Sequence, residues 1–254
     1  MKKLILIFSI LAISIFGFSQ KVVNNGSKIV ANGGKIVVTG YSPRLLDNKI
    51  LWLDSEDLTT IVKDVSNYVE QWNDKSGLSN NITAPLATNE PLFSTDGIIF
   101  DGTNDIMSCV FSSTYSQPVT VYIVIKQRST EIVSYYLDAT TQTGNWYVFR
   151  RTTGDNLNLY AGVSVNTYVK AGIFDKTLFK IEYNGSSTEI FENGVSKGVV
   201  NTGTNTINSI VVGAEQTGAF YSDVNYYEIL YVEGILTTEV DAELNSYFKK
   251  KYNL

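Results

Sequence analysis

Histidine is absent from the 254-residue sequence, and cysteine occurs once. Without histidine the chain has no Ser-His-Asp or Cys-His catalytic group, no histidine zinc ligand and no histidine pH switch. The one cysteine, Cys109, cannot form an internal disulfide or a cysteine-based zinc site. It lies in an apolar run, which favours a buried structural thiol. Several of the commonest catalytic and metal-binding arrangements are therefore excluded.

Methionine (2) and proline (4) are also scarce, whereas tyrosine (16) and phenylalanine (12) are plentiful. Abundant tyrosine and β-branched residues favour strands over helices. With 44% hydrophobic and 18% charged residues, the composition is typical of a globular protein. The net charge of −5 argues against nucleic acid as a partner.

Residues 1–19 have the pattern of a secretory signal peptide. Two lysines precede an apolar stretch over residues 4–18, which is short for a membrane span, and Ser19 suits cleavage before Gln20. The alternative is an uncleaved N-terminal anchor. No other apolar run is long enough to cross a bilayer. We therefore expect a protein that is secreted, or held at the cell surface or in the periplasm.

A seven-residue repeat follows, with residues 25–31 (NGSKIVA) resembling residues 32–38 (NGGKIVV). Glycine-rich turns between short β-branched runs predict two small strands. We assign residues 20–45 to a stalk or added strand pair, whose edge would suit pairing with another chain in a structural or assembly role. A flexible linker is the alternative.

One domain, residues 46–254, makes up the rest of the chain. Short runs with alternating apolar residues are separated by turn signals, and residues 119–125 are so apolar that both faces of their strand should be covered. Residues 157–165 read as one strand. At the end, an apolar stripe through Val240, Leu244 and Phe248 predicts a helix capped by Thr238. We predict an all-β, two-sheet antiparallel jelly-roll sandwich with a short C-terminal helix.

Three segments together carry a family resemblance: LWLDSED (51–57) followed by QWNDKSG (71–77), GIIFDGTND (97–105), and the tail over residues 227–254. In this order they resemble the concanavalin A-like lectin/glucanase superfamily, in the laminin-G-like form found in bacterial secreted proteins. The resemblance implies a secreted recognition module for carbohydrate binding or cell adhesion.

The resemblance also implies a calcium ion at the rim of the sandwich. Four oxygen donors in predicted loops are candidate ligands: Asp74, Asp101, Asn104 and Asp105. Calcium takes six to eight oxygen ligands. Turns in which these side chains bond to their own backbone explain the same four residues without a metal.

Some members of the superfamily cleave β-glucans with carboxylates that alternate along a strand. Glu239, Asp241 and Glu243 match that spacing. Their surroundings predict a helix, however, and residues two apart on a helix point in different directions. We therefore expect no enzyme, and a glycoside hydrolase is the alternative.

The strongest candidate for ligand binding is residues 145–151 (NWYVFRR), which supply Trp146, Tyr147, Arg150 and Arg151. Strand alternation places Trp146 and Arg150 on one face and Tyr147 and Arg151 on the other, so one pair must face the core. The expected partner is a glycan or a cell-surface protein. In the alternative, Trp146 is core and the arginines pair with surface acids. Further tyrosines are expected to add aromatic surface: Tyr135, Tyr136, Tyr221, Tyr226, Tyr227 and Tyr231.

Overall fold

The computed structural model describes residues 28–32, 35–39, 41–129, 133–141, 144–170 and 173–254. The chain divides into two compact units, Met1–Gly40 and Tyr41–Leu254. The predicted signal peptide, residues 1–19, lies outside the described residues. Within the described ranges, no helix is both long and apolar enough to cross a membrane.

The first unit contains a hairpin of two antiparallel strands, β1 (Lys28–Asn32) and β2 (Lys35–Thr39). The two small strands predicted from the repeat are confirmed. Pairing of this hairpin with another chain stays a prediction.

The second unit is an antiparallel sandwich of two sheets. The eight-stranded sheet consists of β3 (Lys49–Asp54), β7 (Leu92–Ser94), β8 (Gly97–Asp101), β10 (Val119–Gln127), β15 (Thr177–Tyr183), β16 (Thr188–Glu192), β17 (Val195–Val200) and β19 (Asp223–Glu233). Its order is β17-β16-β15-β10-β19-β8-β7, and β3 pairs with β19 beside β8.

The nine-stranded sheet consists of β4 (Ile61–Lys63), β5 (Val69–Trp72), β6 (Ile82–Thr83), β9 (Met107–Tyr115), β11 (Ser134–Asp138), β12 (Val148–Arg151), β13 (Asn156–Tyr160), β14 (Ser164–Val169) and β18 (Ile207–Val212). Its order is β14-β13-β12-β11-β18-β9-β6-β5-β4. The predicted all-β, two-sheet sandwich is confirmed.

The main core lies between the sheets and takes alternate residues from each strand. Strand β10 shows the alternation most clearly: Val121 and Ile123 enter this core, whereas Tyr122 and Val124 join a second apolar cluster on the other side of the eight-stranded sheet. The prediction that both faces of this strand are covered is therefore confirmed.

Helix α1 (Thr238–Tyr252) covers the outer face of the eight-stranded sheet through Leu244, Phe248 and Tyr252. The predicted helix is confirmed, but its predicted cap is wrong by one residue. Thr237, not Thr238, accepts the bond from the backbone N–H of Val240. An N-cap residue needs an extended backbone, and Thr237 has it.

The predicted single strand over residues 157–165 is wrong, because the segment folds back on itself as β13 and β14. Gly162 lies in the connection with φ +113°, a conformation that favours glycine. The alternation around it looked continuous because both arms of the hairpin send apolar residues toward the core.

The expectation that the surplus tyrosines add aromatic surface is also wrong for most of them. Five of the six are buried: Tyr135, Tyr136, Tyr226, Tyr227 and Tyr231. A hydroxyl group does not prevent burial where the fold supplies an acceptor: the Tyr226 hydroxyl donates to the Tyr136 carbonyl at 2.7 Å.

Candidate functional site

The outer faces of the two sheets differ. Helix α1 covers the eight-stranded sheet, whereas β11–β14 of the nine-stranded sheet carry a band of polar and aromatic side chains on their outer side. We call this band the open face, and it comprises Trp146, which precedes β12, together with Tyr135, Arg150, Asn158, Tyr160, Ser164 and Asn166. Tyr135 (5% exposed) and Asn158 (4% exposed) are themselves buried. The residues of the open face are placed outward because their strand neighbours Phe149, Leu157 and Leu159 fill the core.

The strand register lines up four residues across the open face. Tyr135 lies opposite Arg150, Arg150 opposite Asn158, and Asn158 opposite Asn166. The Arg150 Nε donates to Asn158 Oδ1 at 3.1 Å, and the Asn158 amide nitrogen donates to Asn166 Oδ1 at 3.0 Å. Each side chain therefore orients the next.

The guanidinium of Arg150 is held from a second side by Tyr135. One Nη donates to the Tyr135 hydroxyl, and the guanidinium carbon lies 5.0 Å from the centre of the Tyr135 ring. A partly desolvated cation beside an aromatic ring is attracted to it. Burial raises the pKa of Tyr135, and the positive charge of Arg150 opposes that rise.

Trp146 forms an aromatic platform at the other end of the open face. Its ring centre lies 4.4 Å from that of Tyr160, and its indole N–H donates to Asp138 Oδ1. Asp138 is buried and also accepts from the backbone N–H of Gln216 at 2.9 Å. Burial raises the pKa of Asp138, and the Trp146 bond opposes that rise. The indole is thus anchored at one edge while the residue stays partly exposed.

A second aromatic residue beside the face comes from the loop between β18 and β19. Phe220 is 55% exposed and stacks on Tyr135, with ring centres 5.9 Å apart and planes 20° apart. Its φ of +51° is unusual for a phenylalanine. Phe220 is not among the residues predicted from the sequence, where its only signal is a large apolar residue in a glycine-containing loop.

Asn158 and Tyr160 are also not among the residues predicted from the sequence. They point outward because Leu157 and Leu159 point inward, so the alternation was visible. Their proximity to Arg150 and Trp146 is not visible in the sequence, because it depends on the pairing of β12 with β13.

The structure separates the four predicted ligand-binding residues into two pairs. Trp146 and Arg150 lie on the open face, but Tyr147 and Arg151 face inward. Tyr147 is 1% exposed and stacks on Tyr183, with ring centres 4.3 Å apart. Arg151 is 3% exposed and pairs with Asp155. This burial corrects the prediction for Tyr147 and Arg151, which have no access to a ligand on the face.

Asp74, the first predicted calcium ligand, binds backbone groups instead. Its carboxylate accepts from the N–H groups of Trp52 (2.9 Å), Ser76 (2.8 Å) and Asn80 (3.0 Å). It thereby holds its own turn and ties that turn to β3.

The other three predicted calcium ligands lie in the connection from β8 to β9. Asp101 Oδ1 accepts from the N–H groups of Thr103 (2.8 Å) and Asn104 (3.3 Å), and Asp105 Oδ2 accepts from the N–H of Asp101 (2.8 Å). Burial raises the pKa of Asp105 to about 7.

The four predicted ligands do not converge into one donor set. Within the described part of the chain, no group of three or more acidic, histidine or cysteine side chains is placed to hold a metal ion. Calcium needs six to eight oxygens, and these residues do not fit that requirement. The alternative reading, turns closed by aspartate and asparagine side chains, matches the bonds observed. Calcium binding itself stays a prediction.

The carboxylates with glycosidase-like spacing lie on helix α1, as predicted. Asp241 accepts from the Tyr122 hydroxyl and from Lys180 Nζ at 2.8 Å, so it fixes the helix to the sheet. Because all three carboxylates lie on a helix, Glu239 and Glu243 do not alternate along a strand with Asp241. This motif does not form a glycosidase site.

No protein-family model and no curated protein sequence matches the chain. Solved structures do match it. Trypanosoma rangeli sialidase in complex with sialic acid has a TM-score of 0.60 at 10% identity, over 87% of this chain and 35% of the sialidase chain. The ligand-binding domain of botulinum neurotoxin serotype D in complex with N-acetylneuraminic acid has a TM-score of 0.58 at 12% identity, over 81% of this chain and 51% of the toxin domain.

A third match is domain 4 of a GH43 extracellular arabinanase from Geobacillus stearothermophilus, in complex with arabinotriose. Its TM-score is 0.53 at 14% identity, over 77% of this chain and 98% of that domain. The chain thus spans about a third of the sialidase and nearly all of the arabinanase domain. At these identities the likeness shows the fold, a sandwich also found in proteins solved with bound sugars.

The comparisons correct the expectation that the chain is not an enzyme. About a third of the Trypanosoma rangeli sialidase chain has a similar fold, and that sialidase was also solved as a covalent intermediate with 2,3-difluorosialic acid. That expectation rests on the helical position of Glu239, Asp241 and Glu243. Excluding one motif does not exclude catalysis, because the fold alone does not decide whether a protein is an enzyme.

Proposed function

We propose that this protein binds carbohydrate through the open face. The observation that carries the proposal is the partly exposed Trp146 platform, which precedes β12 and lies four residues before Arg150, an arginine that is already oriented by its neighbours. The proteins of similar fold include three solved with sialic acid, N-acetylneuraminic acid and arabinotriose.

The chemistry of the open face suits a sugar. The Trp146–Tyr160 pair offers an aromatic surface to the apolar C–H groups of a sugar ring. Arg150 and the exposed amide of Asn166 supply hydrogen-bonding groups that suit ring hydroxyls, and the buried Asn158 orients both of them. Because these polar groups are already oriented, binding costs little side-chain entropy.

Three finer assignments belong to the same proposal. Membership of the concanavalin A-like superfamily rests on the sequence resemblance. Export from the cytoplasm, to the surface or periplasm, rests on the signal-peptide pattern of residues 1–19. A cell-surface protein as partner rests on the resemblance to secreted recognition modules.

A glycan array probed with the purified protein tests the proposal, using Trp146→Ala as the variant and Tyr68→Ala as a matched control. Tyr68 is 47% exposed at the start of β5, away from the open face. Binding that Trp146→Ala abolishes and Tyr68→Ala retains supports the proposal. Equal binding by all three proteins would place the sugar elsewhere, and no binding by the parent protein would overturn the function.

The same array with calcium and with a chelator tests the metal prediction. We expect binding to survive chelation, because the four predicted ligands are bonded to backbone groups and do not converge. Loss of binding on chelation would show that a calcium site forms from other donors. Asp74→Asn and Asp105→Asn would then be the first variants to compare.

A further inference from the structure

Arg150 differs from the other arginines of the sandwich strands and their connections. Arg128 pairs with Asp223 at 3.0 Å, and Arg151 pairs with Asp155. Arg150 forms no ion pair with any residue that the structure describes. Its charge is therefore unmatched by a carboxylate on the face where the proposed ligand lies.

The guanidinium is also left with one donating edge. Its Nε is bonded to Asn158 and one Nη to Tyr135, and the second Nη has no hydrogen-bond partner among the described residues. A planar guanidinium fixed on two sides presents its remaining N–H groups in one direction. Such a group is preorganised to receive a ligand oxygen.

Two acidic residues near Tyr135 do not pair with the second Nη of Arg150. Asp138 is buried and its oxygens accept from Trp146, Ala139 and Gln216. Glu215 accepts from the Thr217 hydroxyl in its own loop. Both raise the pKa of Tyr135 through their charge, so they act on the site at a distance without contacting the arginine.

Resting on the function proposed above, we infer that the open face recognises a carboxylate-bearing sugar and that Arg150 sets this specificity. The sugar carboxylate accepts from the free Nη of Arg150, and the ring stacks on Trp146. Planar carboxylates match the guanidinium geometry, and hydrogen bonds between charged groups are stronger than neutral ones. Uronic acids and sialic acids both supply this carboxylate.

The test measures affinity for trigalacturonic acid and 3′-sialyllactose, each beside the same sugar with its carboxylates methyl-esterified. We expect the parent protein to prefer at least one free acid over its ester. Arg150→Gln should lower affinity for that acid about tenfold or more and leave affinity for the ester nearly unchanged. Arg128→Gln is the matched control, and thermal melting of each variant checks that it is folded.

The outcomes separate the inference from the function on which it rests. Acid preference that Arg150→Gln removes and Arg128→Gln retains supports both, and the preferred acid identifies the sugar type. Equal affinity for acids and esters, with Trp146→Ala still abolishing binding, overturns the inference alone. No affinity of the parent protein for any sugar, here and on the array, overturns both. Arg150→Lys adds a graded check, because it keeps the charge and loses the planar geometry.

Discussion

The two outer faces of the sandwich handle charge in opposite ways. Under helix α1, the carboxylate of Glu228 is 0% exposed and every donor it needs comes from the protein itself. On the open face, Arg150 carries a charge that no described carboxylate matches. Both sheets share one core, so the fold does not distinguish them. The two faces differ in whether their charged groups are all paired within the protein.

Glu228 shows what internal satisfaction requires. It accepts from the Trp52 indole (2.7 Å), the Tyr252 hydroxyl (2.7 Å) and Lys251 Nζ (2.8 Å), and from the Tyr247 hydroxyl at 3.1 Å. Burial raises the pKa of Glu228, and the charge of Lys251 opposes this rise. A carboxylate so enclosed fixes the helix to the sheet and has no capacity left for a ligand.

The largest effect on the free energy of unfolding is expected under helix α1, on the outer face of the eight-stranded sheet. Phe248→Ala removes a fully buried ring that stacks on Tyr122, with centres 5.4 Å apart. We expect a loss of about 3–5 kcal/mol in the free energy of unfolding, measured by urea denaturation. Tyr160→Ala on the open face is the contrast, with an expected loss of about 1 kcal/mol. Similar losses for both would show that the open face is as structural as the covered one.

Breaking the buried ion pair between Lys251 and Glu228 should lower the free energy of unfolding slightly less. Lys251→Met removes the cation 2.8 Å from Glu228 and leaves that carboxylate buried without its charge partner. We expect a loss of about 3 kcal/mol, again by urea denaturation. Arg150→Met is the matched change on the open face and should cost under about 1 kcal/mol. A larger loss for Arg150→Met would contradict the idea that its charge is reserved for a ligand.

The smallest effect expected, counted per pH unit, is the change in stability caused by Asp105, in the connection from β8 to β9. Its pKa of about 7 in the fold lies above the ordinary value of 3.8, so the folded protein keeps a proton that the unfolded chain releases. Asp105 therefore lowers stability as pH rises from about 4 to 7, by at most about 1.4 kcal/mol per unit. Asp105→Asn should become more stable relative to the parent protein across that range, as thermal melts would show. A pH-independent difference would mean that the carboxyl ionises normally in the fold.

Part of this architecture was predictable because it depends on local patterns. Asn193–Gly194 predicts the tight hairpin from β16 to β17, and the apolar stripe of Val240, Leu244 and Phe248 predicts α1. Strand alternation by itself places Trp146 and Tyr147 on opposite faces. None of these needs information about a distant part of the chain.

The sequence by itself thus determined the all-β class, the C-terminal helix and the opposite faces of Trp146 and Tyr147, because period and turn chemistry are local. Only the tertiary structure decided which of those faces is the core, that most of the surplus tyrosines are buried, and that Asn158 and Phe220 join Arg150. Those outcomes depend on which strands pair and which face a helix covers. Contacts between residues such as Tyr135 and Phe220, 85 positions apart, leave no local pattern in the sequence.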